Sequence, residues 1–155
     1  MNFETTIAID APPTRVWDVI SSIERWPEWI DTYQAARWLD SGMALGAKAE
    51  ITQKRLPKLV YQVTRLDPGV EFTWETSSLG VRTVAVHTIT PSADGRSILG
   101  LRLSQNGSLA AVAALLAGRQ TRRYVQLEAE RLKHAAEADW PRLDRDRDHD
   151  RYSAR

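Results

Sequence analysis

His87 is the residue whose side chain is best suited to acid–base chemistry at neutral pH. It lies in the alternating segment VRTVAVHTIT, where every second side chain of a strand points to the same face. An imidazole there could donate a proton to a carbonyl or hydroxyl group of a bound molecule, or accept one from it. We favour the alternative, a buried histidine bonded to a backbone group or a tyrosine hydroxyl, because the sequence identifies no partner that would position it for catalysis.

Several other chemistries have no support in the sequence. The chain contains no cysteine, which excludes disulfides, thiol nucleophiles and cysteine metal ligands. We expect His134 and His149 to be exposed, and without an HxxxH or carboxylate grouping neither a metal site nor another cofactor is predicted. The chain has no GxSxG segment and no glycine-rich phosphate loop, which argues against a nucleophilic hydrolase or a nucleotide-binding protein.

Composition and charge restrict the class of protein. With 155 residues, 43% of them hydrophobic, the chain is long enough for one domain with a real core. Lys and Arg total 21 against 20 Asp and Glu, so we expect no nucleic-acid partner. No apolar run approaches the roughly 20 residues of a membrane span, and the first residues do not resemble a signal peptide. We therefore expect a cytoplasmic protein, with a monomer favoured.

A strand and two short helices are predicted at the start of the chain. Apolar and polar residues alternate over residues 3–9, the period of a half-buried strand. Asp10 then offers a capping side chain ahead of two prolines and a helical apolar pattern. Pro27, inside RWPEWI, breaks or bends the helical segment that follows. We expect Trp26 and Trp29 to anchor this corner, with Trp29 the ring nearer a ligand.

Six further strands are predicted up to residue 106, because glycines and prolines divide the segment and no helical period interrupts it. Their ranges are 33–39, 46–54, 58–66, 70–77, 80–90 and 96–106. Joined by hairpins, they form a seven-stranded antiparallel sheet with the first strand.

Turn chemistry predicts which side chains share the inner face of this sheet. A two-residue Leu79-Gly80 loop pairs Phe72 with His87, and a three-residue loop ending at Gly95 pairs His87 with Leu101. A type II turn at 67–70 adds residues from the preceding strand. The predicted inner face carries Tyr61, Val63, Phe72, Trp74, Ala85, His87, Ile89, Leu99, Leu101 and Leu103. Its aromatic rings could stack on a flat ligand or simply fill the space.

The segment from residue 108 to about 137 is predicted to be a long helix that packs on the sheet. Its predicted apolar stripe comprises Leu109, Val112, Ala113, Leu116, Tyr124 and Leu127. Gln120 and Arg123 are expected at the edge of this stripe. The basic stretch Arg119, Arg122 and Arg123, closely followed by Glu128 and Glu130, is expected to be a solvated face, with binding of an acidic ligand as the alternative. Residues 139–155 alternate in charge and are expected to form a disordered tail, which leaves a single domain at 1–138.

The order of these elements resembles the helix-grip fold of the START-like, or SRPBCC, superfamily, and within it the polyketide cyclase/dehydrase-like branch. The motifs that carry the resemblance are Ala11-Pro12-Pro13 with Val16-Trp17, Trp26-Pro27-Glu28-Trp29, Asp67-Pro68-Gly69 leading to Trp74, His87 before the Gly95 hairpin, and Gly107 ahead of the helix. The resemblance implies an α+β protein in which a strongly curved sheet wraps around the long helix. It also implies a cavity between them for lipids, polyketides, sterols or other apolar molecules.

The leading hypothesis is therefore a protein that binds an apolar or aromatic small molecule such as a lipid, polyketide or quinone. The first alternative is a cyclase- or dehydratase-type enzyme that uses His87 as acid or base. The second is a module with a collapsed cavity that binds a partner protein. The predicted cavity residues are Trp29, Trp38, Tyr61, Val63, Phe72, Trp74, Ala85, His87, Leu101, Val112, Leu116, Gln120 and Tyr124.

Overall fold

A curled seven-stranded antiparallel sheet and a long helix make up most of the structure, a computed structural model that describes residues 1–138 apart from the side chains of 111–116. The elements are β1 (Asn2–Ile9), α1 (Pro13–Ser21), a 3-10 turn (Ile23–Arg25), α2 (Trp26–Trp29), β2 (Tyr33–Trp38), β3 (Lys48–Gln53), β4 (Leu59–Asp67), β5 (Glu71–Ser78), β6 (Val81–Pro91), a second 3-10 turn (Ala93–Gly95), β7 (Ser97–Asn106) and α3 (Ala110–Glu137). This is the predicted α+β helix-grip fold. The predicted tail at 139–155 lies outside the described residues.

The strands follow the order β1-β7-β6-β5-β4-β3-β2, with every neighbouring pair antiparallel. Strands β2 to β7 form a meander of hairpins, and β1 pairs with β7 at the other edge. The inner face of the sheet packs against α3 and the short helices and carries most of the buried side chains. Alternation along the strands thus separates an apolar inner face from a polar outer one.

The two hairpins around β6 have the predicted registers. Leu79 and Gly80 both have positive φ, 50° and 73°, as a two-residue type I′ turn requires, and Phe72 lies opposite His87. In the next hairpin the Ser92 backbone N donates to the Arg96 carbonyl oxygen over 2.9 Å. His87 therefore lies opposite Leu101, as predicted.

The β4–β5 hairpin reaches the predicted inner face by a different route. The Val70 backbone N donates to the Asp67 carbonyl oxygen over 3.0 Å, and Gly69 has φ 84°, consistent with a type II turn. The strand pairing starts one residue later than predicted, at Asp67 and Glu71, and an irregularity between Val63 and Arg65 compensates for the difference. A bulge of this kind absorbs one extra residue, so Tyr61 and Val63 still point inward.

The predicted capping role of Asp10 is wrong. Pro12 occupies the N-cap of α1 without a side-chain cap, and the helix begins at Pro13. Asp10 lies too far upstream to reach the free N–H groups of the first turn, and its carboxylate instead pairs with Arg96 over 3.2 Å. The prolines alone set the start of α1.

The inward face of α3 also differs from the prediction. Leu109 precedes the helix and is 49% exposed, and Leu127 is half-buried. Val112, Ala113 and Leu116 lie outside the described side chains. Farther along α3, the side chains that line the space under the sheet or are buried in the core are Ala117, Gln120, Thr121, Tyr124, Val125, Glu128, Ala129, Leu132 and Ala136. The last turns of α3 are therefore tightly packed, whereas the stretch from Ala117 to Glu128 faces a cavity.

Candidate ligand-binding cavity

Two adjoining cavities lie between α3 and the inner face of the sheet. The larger has a volume of about 360 Å³ and the smaller about 40 Å³. Four residues line both of them: Tyr61, Leu103, Val125 and Glu128. The smaller cavity, which His87 and Trp74 also line, is therefore the inner end of one continuous site.

Small side chains leave the larger cavity open. Thr76 on β5 and Thr83 on β6 point into the cavity, and Ala117 faces them from α3. The other inward residues of β5, Phe72 and Trp74, are aromatic and much larger. The mouth is formed by the β3–β4 loop together with Leu79, which is 81% exposed, and Leu109. The Tyr124 hydroxyl donates to the Lys54 carbonyl oxygen over 2.8 Å and holds α3 against this loop.

Glu128 forms the polar end of the site. Its Oε1 lies 3.1 Å from His87 Nε2, and its Oε2 accepts a hydrogen bond from the Tyr33 hydroxyl over 2.9 Å. We assign the imidazole proton to Nε2, because an ionised carboxylate can only accept. The Glu128 side chain is 13% exposed and that of His87 only 4%. A carboxylate buried to this extent needs such donors, since an unpaired charge is costly away from water.

Aromatic rings enclose His87 on several sides. The imidazole stacks on Phe72 with ring centroids 4.2 Å apart and an angle of 8° between the planes. Trp74 meets it edge-on at 5.9 Å, and Trp26 lies 5.6 Å away. The Nδ1 atom is buried without a hydrogen-bond partner in the described part of the chain. His87 is therefore rigidly held, and its partner is Glu128 rather than the backbone group or tyrosine hydroxyl expected from the sequence.

Both buried tyrosines remain neutral donors at physiological pH. Burial raises the pKa of the Tyr33 hydroxyl well above its ordinary value, and the negative charge of Glu128 raises it further. Burial also raises the pKa of Tyr61, with an additional contribution from Glu128. The inner end of the site therefore contains one carboxylate, which accepts from Tyr33 and has the neutral Tyr61 near it.

The structure brings many of the predicted cavity residues together. Gln120 and Tyr124 line the larger cavity, Tyr61 lines both, and the smaller one is also lined by Trp74, Ala85, His87 and Leu101. Val63 and Phe72 are buried in the core and line neither cavity. Val112 and Leu116 fall among the side chains that are not described.

The predictions for Trp29 and Trp38 need correction, because neither ring lines a cavity. Trp29 is half-buried at the surface, with the Arg25 guanidinium 4.8 Å from its ring centroid. Trp38 lies at the end of the edge strand β2 and packs, partly buried, against the core. Of the RWPEWI pair, Trp26 is the one that packs against residues of the site: its fully buried ring lines neither cavity but contacts Tyr33, Trp74 and His87.

Sequence reasoning missed Glu128, Tyr33 and Trp26. A signal for Glu128 exists, because it lies four residues after Tyr124 and eight after Gln120, on the same helix face. The sequence nevertheless favours a solvated face, because Glu128 and Glu130 closely follow a cluster of arginines. Its partners, Tyr33 on β2 and His87 on β6, are distant in the chain, and no spacing in the sequence predicts these contacts.

Two kinds of feature are missing from the described residues. Within 1–138, no group of three or more acidic or histidine side chains is arranged to hold a metal ion. In the same range, no helix is both long and apolar enough to cross a membrane.

The curled sheet wrapped around a C-terminal helix, with short helices between β1 and β2, defines the helix-grip fold. Residues 1–137 match the family described as polyketide cyclase / dehydrase and lipid transport, and the chain belongs to this family. The resemblance inferred from the sequence motifs is thereby confirmed. No curated protein matches the chain in sequence.

Solved structures share the fold at low sequence identity. Protein MLL2253 from Mesorhizobium loti has 17% identity and a TM-score of 0.71, with 91% of this chain and 100% of that chain covered. A START superfamily protein from Mycobacterium smegmatis has 12% identity and a TM-score of 0.68, with 86% and 97% covered. The di-domain ARO/CYC protein BexL, from the BE-7585A biosynthetic pathway, has 13% identity and a TM-score of 0.67, with 86% of this chain and 46% of that chain covered.

Proposed function

We propose that this protein binds an apolar or aromatic small molecule in the larger cavity between α3 and the sheet. The observation that carries the proposal is the cavity itself, about 360 Å³ in volume, with a largely apolar wall and one buried polar cluster at its inner end. Ligand pockets commonly have volumes of about 300–1,000 Å³ and combine apolar walls with a few placed polar groups. The description of the family, which includes lipid transport, supports the same class of ligand.

A ligand would enter between Leu79, Leu109 and the β3–β4 loop, where the apolar side chains are exposed. Its body would contact Leu103, Val125 and the face of Tyr61, and its leading end would reach Glu128. Burying apolar surface against these side chains supplies the main favourable free energy, about 25 cal/mol per Å². We propose that the protein acts as a monomer in the cytoplasm.

Blocking the cavity tests this proposal. Ala117 lines the cavity from α3, so Ala117→Phe fills part of it, whereas Glu130→Phe places the same ring on the exposed face of the helix. Fatty alcohols, quinones and flavonoid-like aromatics would be titrated by native mass spectrometry and tryptophan fluorescence. We expect micromolar binding to the wild type and to Glu130→Phe, and at least about tenfold weaker binding to a folded Ala117→Phe. Absence of binding to the wild type across the whole panel would rule the proposal out.

The second candidate function is a cyclase- or dehydratase-type reaction, which the pairing of His87 with Glu128 favours. Sequence reasoning assigned the acid–base role to His87 alone. Glu128 lines both cavities and His87 only the inner one, so the carboxylate would contact the substrate and His87 would orient it. In a dehydration, Glu128 would take a proton from carbon next to a carbonyl group and return one to the departing hydroxyl, which leaves as water.

This second candidate requires turnover that depends on the pair. His87→Ala and Glu128→Gln should abolish turnover of a cyclisable polyketide-like substrate while leaving affinity within a few-fold of the wild type. Retained turnover in either folded variant would rule it out, and loss of folding in His87→Ala would mark that side chain as structural. The collapsed cavity expected of a partner-protein module does not match the open cavity of the described residues.

A further inference from the structure

We propose that Glu128 determines which head group the ligand can carry at its buried end. The protein binds apolar molecules with a hydroxyl, phenol or amine there and rejects those with a carboxylate. This inference rests on the proposed binding function and specifies its ligand class. Fatty acids would accordingly be poor ligands, although their alkyl chains suit the cavity walls.

The first reason is the unused acceptor capacity of Glu128. An ionised carboxylate offers about four lone-pair sites. The protein supplies one donor to each oxygen, from His87 Nε2 and from the Tyr33 hydroxyl. The remaining sites belong to a side chain that is 13% exposed and lines both cavities. A donor on the ligand would complete this coordination without displacing either protein donor.

The second reason is the absence of a cation in the described cavity walls. No lysine or arginine lines the larger cavity, and beside the smaller one the basic side chains are His87, whose Nε2 is already paired with Glu128, and Arg102. The Arg102 guanidinium lies on the outer face of the sheet, where it pairs with Glu4 over 3.3 Å and is 57% exposed. A ligand carboxylate at the inner end would therefore have no positive partner.

A second carboxylate would also be repelled by Glu128 directly. Two like charges a few ångströms apart in a partly desolvated pocket repel each other strongly, and one of them has to take up a proton before both can stay. A neutral alcohol avoids this cost, and an ammonium group gains from the same field. The same carboxylate thus favours one class of head group and excludes another.

Ligands matched in their apolar part isolate this effect. Dissociation constants would be measured for decanol, decylamine and decanoate, and for naphthol and naphthoate, with wild type and Glu128→Gln. We expect wild type to bind each alcohol or amine at least about tenfold more tightly than the matching carboxylate. Glu128→Gln should reduce this ratio to within about threefold, mainly by strengthening carboxylate binding. Glu130→Gln makes the same charge change on the exposed face of α3 and should keep the wild-type ratio.

The outcomes separate this inference from the function on which it rests. Equal binding of alcohol and carboxylate by the wild type would overturn the selectivity while leaving the binding function intact. An unchanged ratio in folded Glu128→Gln would overturn the role of Glu128. If that variant does not fold, the wild-type ratio still tests the selectivity. Gln120→Lys, which places a cation on the cavity wall, should then lower that ratio by strengthening carboxylate binding, and an unchanged ratio would contradict an electrostatic origin. Failure of every probe and of the wider panel would remove the binding function, and this inference with it.

Discussion

The space between the sheet and α3 is filled at one end and open at the other, although the same strands form both ends. On β5, the large ring of Trp74 fills the closed end. Thr76, two residues further along the strand, is too small to fill the space at the open end. On β6, His87 lies at the closed end and the smaller Thr83 at the open end. The comparison shows that the volume of a few inward side chains, and not a change of fold, decides where this architecture keeps a cavity.

The two ends also differ in the number of hydrogen bonds that hold α3 to the rest of the protein. At the closed end the Arg15 guanidinium donates to the carbonyl oxygens of Ala135 and Ala138, each over 3.3 Å, and Glu137 accepts from the Asp10 backbone N over 2.8 Å. At the open end, Tyr124 to Lys54 is the bond that links α3 to the mouth loop among the described contacts. We therefore expect changes at the closed end to affect stability and changes at the open end to affect ligand binding.

The largest effect is expected for Trp26→Ala. The ring is fully buried against Tyr33, Trp74 and His87, so its removal should leave a large cavity and lower the free energy of unfolding by about 3–5 kcal/mol. Trp29→Ala deletes a half-buried ring outside the site and should cost clearly less. Urea unfolding of both variants measures the difference, and equal losses would contradict the assignment of Trp26 to the closed end.

Tyr33→Phe should have the next largest effect. It removes one of the two hydrogen bonds that stabilise the buried Glu128 carboxylate, at a cost of about 1–3 kcal/mol. Tyr124→Phe removes a more exposed bond at the open end and is the matched control. Thermal unfolding that gives Tyr124→Phe the larger loss would reverse our comparison of the two ends.

At the open end, Thr83→Ile should stabilise the protein. The ethyl group that replaces the hydroxyl enters space that is now empty, and the hydrogen bond that is lost, from Gln105 Nε2, is long at 3.4 Å. We therefore expect the free energy of unfolding to rise by about 0.5–1 kcal/mol and ligand binding to weaken. Val84→Ile on the outer face of the same strand should leave ligand affinity unchanged. Unaltered affinity in Thr83→Ile would mean that ligand does not use this part of the cavity.

The smallest effect is expected for Glu137→Gln. Burial alone would raise the pKa of Glu137, but hydrogen bonds from Lys133 and the Asp10 backbone outweigh it and hold this pKa below its ordinary value. A carboxyl whose pKa is lower in the folded state adds stability above its unfolded pKa and loses it as pH falls through the folded one. The variant should therefore be about 0.5 kcal/mol less stable at neutral pH. This deficit should disappear in acid, and urea unfolding that finds it independent of pH would refute the linkage.

Much of the fold follows from local sequence patterns. Strand periodicity and turn residues such as Leu79-Gly80 predict the registers that place Phe72, Trp74 and His87 on one face, because the backbone conformation of a tight turn restricts how its flanking strands pair. The irregularity after Val63 could not be predicted in this way, since a bulge depends on how both strands pack.

The polar end of the site depends on contacts between distant parts of the chain. Glu128 lies 95 residues from Tyr33 and 41 from His87, and only the wrapping of the sheet around α3 brings the three together. The sequence by itself determined the inner face, the long helix and the apolar character of the space between them, because these depend on short-range periodicity and turn chemistry. The tertiary structure decided that Trp26 rather than Trp29 packs against residues of the site and that Glu128 is buried, because burial of a ring or a charge depends on partners that no local pattern specifies.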